Sequence, residues 1–138
     1  MSTLKTIVLI LALGHVIFGL YGLYAPEAVG AIVSLQPTTG GAVGELRAIF
    51  GGLIVATGVA LLRGALGGSQ GKQWLLAVAV AYAGLFVGRV VSIGMDGRWA
   101  HTLLAGLVEA AIAGFLVYAA WELGKPATVD AVAAGADD

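Results

Sequence analysis

The side chains in this sequence best suited to acid–base, anion-binding or nucleophilic work are Glu45, Arg47, Arg89, Ser92, Asp96, Arg98, His101 and Glu109. Carboxylates can trade protons, and guanidinium groups clamp carboxylates and phosphates. His101 with Glu45 and Glu109 has the right types for zinc, but neither an HxxxH nor an ExxH spacing goes with them. No metal and no cofactor is therefore assigned. Cysteine is absent, which excludes thiolate nucleophiles, disulfides and cysteine metal sites. There is no Gly-rich phosphate loop between a strand and a helix, and no Ser–His–Asp order. Ser92 beside Arg89 reads as a packing serine, and no catalytic residue is assigned.

These charges are unusual because of what surrounds them. Of 138 residues, 59% are hydrophobic and 11% charged, with a mean hydropathy of +0.98. Soluble domains carry about 25% charged residues, so this chain belongs in a bilayer. Its net charge of −1 and lack of a basic run argue against nucleic acid as a partner. Four segments are long enough to cross a hydrocarbon core about 30 Å thick: 4–24, 45–62, 73–94 and 102–121. The predicted fold class is all-α, a four-transmembrane-helix bundle in one domain (1–123), with a disordered tail over 124–138. The first segment exceeds a signal-peptide core, and Pro26 directly after Ala25 makes a poor cleavage site. It is read as a retained span.

Between the first two spans, Pro26 and Glu27 suit the first turn of a short interfacial helix, which Pro37 to Gly41 then break. The stretch 63–72 reads as a plain loop, and Asp96-Gly97 as a tight turn. Lys5, Arg63, Lys72 and Lys125 fall on one side of the membrane, so both termini are expected in the cytoplasm. Trp74, Tyr118 and Trp121 would sit near that interface, with Tyr21, Tyr24 and Trp99 at the other.

This topology gathers the charges at the end opposite the termini. Arg89 lies roughly 7 Å and Glu109 roughly 10 Å inside that face. An ion at such depth costs about 3 kcal/mol, so both are expected to point inward and meet. Arg89, Ser92 and Asp96 share a helix face. Glu45 and Arg47 are about 200° apart on theirs, with Glu45 expected inside near Arg89 and Arg47 at the rim. Gly84 and Gly88 form a GxxxG pair, and Gly51, Gly52, Gly106, Ala110 and Gly114 offer further small surfaces for close helix approach. His15 is expected to be a hydrogen-bonded packing residue. With Tyr82 it is the main polar group in the other half of the bundle.

The cluster has several readings. Three acids facing three bases can simply neutralise one another and fix helix register. The same pocket, built on Glu45, Arg89, Asp96 and Glu109, can bind a lipid-like or quinone-like amphiphile or a partner helix, and this is the leading expectation. An enzyme or enzyme subunit using the carboxylates is the main rival, and a proton- or ion-coupled transporter a further one. A homo-oligomer is compatible with all of them.

The order of Pro26-Glu27, Glu45-Leu46-Arg47-Ala48 with Gly51-Gly52, Gly88-Arg89, Asp96-Gly97-Arg98 and Glu109 resembles the small bacterial membrane proteins grouped as domain of unknown function 4345. Gly44 stands where that pattern often has asparagine, removing a cap. The resemblance implies a four-helix protein of the bacterial inner (plasma) membrane with no established activity. A looser similarity to the DoxX-like four-helix proteins implies a link to quinones or redox complexes.

Overall fold

The computed structural model describes residues 2–96 and 99–125, and only the backbone of Asp96, Trp99, Ala100 and His101. The described chain is all-helical and has five helices. They are α1 (Thr3–Tyr24), the short α2 (Pro26–Ile32), α3 (Gly40–Leu66), α4 (Gly71–Asp96) and α5 (Trp99–Leu123). All but α2 are long and apolar enough to span a membrane. Even α1, the shortest of these at 22 residues, extends about 33 Å.

Local chemistry sets the ends. The Ser2 side chain accepts a hydrogen bond from the Lys5 amide and starts α1, and Thr39 does the same for α3 through Ala42. Pro26 occupies the first turn of α2, where its missing N–H is no loss. At the other end of α2 the Leu35 amide bonds the Gly30 carbonyl at 2.7 Å and the Ser34 amide bonds Ala31 at 3.3 Å. This is a Schellman closure, and it holds Ser34 at a left-handed φ of 61°.

The second span is longer than the expected 45–62. It begins at the Thr39 cap and continues through Arg63 to Leu66, so the first four residues of the expected loop over 63–72 belong to α3, and its last two, Gly71 and Lys72, begin α4. Gly67 and a single 3₁₀ turn (Gly68–Gln70) then lead directly into α4. Inside α3, residues Arg47–Leu53 form a π-helix. Residues 126–138 of the expected tail over 124–138, and Gly97 of the expected turn, lie outside the described residues.

The four spans alternate in direction, so both termini and the α3–α4 connection share one end, here the terminal end. The buried core sits there: Val8 and Ala12 of α1, Leu61 and Ala65 of α3, Leu75, Val78 and Ala79 of α4, and Leu116, Ala119 and Ala120 of α5. Tyr82 and Ile112 mark its far limit. Beyond them the chain separates into two packed hairpins. The far half of α3 packs on α1 and α2, while α4 packs on α5. The outer faces carry large apolar side chains such as Ile10, Val80 and Leu104, a surface that only acyl chains can cover without cost.

Glycines close one hairpin and not the other. A Cβ on Gly22 would lie 2.3 Å from the Phe50 carbonyl oxygen, and one on Gly51 would strike Leu23. The α1–α3 crossing is therefore a backbone-on-backbone contact at the π-helix. Gly84 and Gly88 meet nothing within 4 Å. Among the described residues the expected GxxxG contact is thus absent: α4 turns its bulkier Phe86 and Arg89 toward Gly106 of α5 instead.

Candidate functional site

Arg89 and Glu109 join α4 to α5 at the far end. The Arg89 Nη2 donates to Glu109 Oε1 at 3.1 Å, and its Nε lies 3.3 and 3.4 Å from the two carboxylate oxygens. Gly106 gives the Arg89 stem room to pass a turn below Glu109: a Cβ there would lie 3.2 Å from the Arg89 Cβ, a tight contact that the stem would have to yield to slightly. The two partners differ in environment: the Glu109 side chain is 12% exposed and that of Arg89 41%. Arg89 Nη1 has no protein acceptor among the described residues. The carboxylate is satisfied by protein, whereas part of the guanidinium edge faces outward.

A second polar link lies nearer mid-depth, between α1 and α4. His15 Nδ1 lies 2.7 Å from the Leu11 carbonyl oxygen, and His15 Nε2 is hydrogen-bonded to the Tyr82 hydroxyl. A carbonyl can only accept, so Nδ1 carries a proton, and in the neutral ring Nε2 then accepts from the Tyr82 hydroxyl. The rings meet edge to face, 5.9 Å apart at 79°. Tyr82 is seven residues before Arg89, on the same helix face, and within electrostatic reach of Glu109. His15, Tyr82, Glu109 and Arg89 thus form a polar run from mid-depth toward the far end. Sequence reasoning placed His15 and Tyr82 in the other half of the bundle and did not connect them. The seven-residue spacing of Tyr82 and Arg89 was the available signal.

The remaining residues are distributed differently from expectation. Glu45 is exposed and lines a groove with Leu35, Pro37, Leu46 and Phe50, so it does not turn inward to Arg89. The reason is that the first turns of α3 pack on α2 rather than on α4. A single pocket uniting Glu45 with Arg89 and Glu109 is therefore not formed. Arg47, also exposed, lines a separate cleft with Tyr24, Pro26 and Glu27. Ser92, half-buried one turn beyond Arg89, is engaged in a contact of its own. The side chains of Asp96 and His101, and all of Arg98, lie outside the described residues.

Residues 3–119 match the family described as Domain of unknown function (DUF4345). That match covers most of the chain and reaches all four spans, ending four residues before the end of α5. The chain belongs to the DUF4345 family. No curated protein and no solved structure matches it. The segments that carry the resemblance fall on distinct structural features: Glu45-Leu46-Arg47-Ala48 with Gly51-Gly52 runs into the π-helix Arg47–Leu53, Arg89 and Glu109 form the interhelical ion pair, and Pro26-Glu27 opens α2. π-Helical turns are enriched at functional sites, which adds weight to the far end of this DUF4345 protein.

Proposed function

We propose that this protein binds a membrane amphiphile, lipid-like or quinone-like, whose polar head bonds the outward edge of Arg89 while its tail lies along the exposed apolar faces. One observation carries the reading: a guanidinium deep in an apolar span is only partly satisfied by its carboxylate partner. Leftover N–H donors in hydrocarbon are costly, and acceptor oxygens on a ligand head would satisfy them. The quinone half of this class rests on the DoxX-like resemblance alone. Binding is favoured over proton translocation because the polar run stops near mid-depth: the core on the terminal side is apolar. We place the protein in the cell inner membrane with both termini cytoplasmic, supported by Lys5, Arg63, Lys72 and Lys125 at the terminal end.

Native mass spectrometry from mild detergent tests this, comparing the wild type with the double variant Arg89→Leu/Glu109→Leu. The reading expects a co-purified amphiphile on the wild type and its loss from a still folded double variant. A bare wild type, or equal occupancy in both, would overturn it.

A further inference from the structure

The cleft between the end of α1 and the π-helix is a second site, apart from the Arg89–Glu109 pair. It measures about 340 Å³ and is lined by Tyr24, Ala25, Pro26, Glu27, Ala28 and Arg47. Arg47 opens the π-helix and Glu27 lies in the first turn of α2, so two elements present opposite charges to one cavity. Among the described residues the two do not form an ion pair with each other. Tyr24, the last residue of a spanning helix, is 89% exposed. Amphipathic aromatics in that position sit at headgroup depth. Pro26 is buried and fixes its own φ, which gives the cleft a rigid floor.

We propose that this cleft binds the headgroup of a zwitterionic phospholipid carrying a primary ammonium, the phosphoethanolamine class. Arg47 supplies a planar fork of donors that matches phosphate oxygens. Glu27 is an acceptor only and takes the ammonium N–H groups. Opposite charges held apart in one cleft match a ligand that carries both charges in the complementary order. A choline headgroup has no N–H for Glu27, and an anionic glycerol headgroup brings no cation to it. The small walls of Ala25 and Ala28 leave room for the headgroup, and the exposed apolar faces continue toward the acyl region.

The test is a native mass spectrometry titration of the full chain with phosphatidylethanolamine, phosphatidylcholine and phosphatidylglycerol of identical acyl chains. Phosphatidylethanolamine adducts are expected to exceed the other two by about tenfold, the scale of one charge-assisted hydrogen bond. Glu27→Leu should erase the preference over choline, and Arg47→Gln should lower retention of all three lipids. Both side chains are exposed, so both variants are expected to fold, which their melting curves check. The double variant Arg89→Leu/Glu109→Leu should keep the preference, which separates this site from the amphiphile reading above. Equal retention of the three headgroups, a preference for the anionic lipid, or a preference that survives Glu27→Leu would each overturn the proposal.

Discussion

An ion pair inside a membrane span can be a lock, a binding group or both, and Arg89 and Glu109 have to be judged by what happens when one is removed. Arg89→Leu strands a carboxylate that is 12% exposed. The expected cost is about 3 kcal/mol, reduced where Glu109 escapes by taking a proton. Replacing both by leucine removes the charge problem, and the double variant is expected within about 1 kcal/mol of wild type. Thermal unfolding in detergent checks both. A single variant that melts like wild type would mean that the pair contributes nothing to the fold. The pairing was readable from sequence because depth makes an unpaired ion expensive, and only a few partners lie at the same depth. The direction of Glu45 was not readable, because it depends on which neighbour the first turns of α3 choose. That choice is made by α2, a seven-residue helix with no strong signature of its own.

Among the elements, α3 departs furthest from a regular apolar helix. Its bounds were underestimated because Thr39 caps it in a Gly-rich stretch that reads as a break, and because Gly64 and Gly67 read as loop. The π-helix could not be read from hydrophobic periodicity, which assumes a uniform turn. It becomes visible through the α1–α3 crossing, where Gly22 meets the Phe50 carbonyl. Two glycines of equal standing in the sequence therefore predict opposite outcomes. Gly22→Ala must move backbone against backbone and is expected to lose about 2 kcal/mol or more. Gly84→Ala, in the GxxxG motif, meets open space and is expected to be neutral or stabilising by up to about 1 kcal/mol. Melting curves of the two variants decide between this crossing and a GxxxG-driven fold. A Gly84→Ala variant that unfolds first would restore the motif to the interior.

At the scale of the whole molecule, the buried apolar core and the ion pair inside the spans lie toward opposite ends. The core joins all four spans at the terminal end, where Lys72 also stacks over Trp121 with its Nζ 5.6 Å from the ring centroid. The Arg89–Glu109 pair and the cleft-lining charges lie at the other end, on two separately packed hairpins, while the exposed Glu122–Lys125 pair stays at the terminal end. Combined with the proposed orientation, this asymmetry assigns a leaflet to each proposed site. Lys and Arg on short connections favour the cytoplasm, and Lys5, Arg63, Lys72 and Lys125 share the terminal end. The native chain has no cysteine, so single cysteines at Thr38 and Ser69 can be read without background. Both positions are exposed, Thr38 before α3 at the far end and Ser69 in the turn before α4. A membrane-impermeant maleimide should label Thr38→Cys in intact cells and Ser69→Cys only after permeabilisation. The reverse pattern would turn the molecule over and put Arg47, Glu27 and the Arg89–Glu109 pair in the cytoplasmic leaflet. Labelling of both from one side would mean that α3 does not cross, and the separation of core from charge would then have no relation to the two faces of the bilayer.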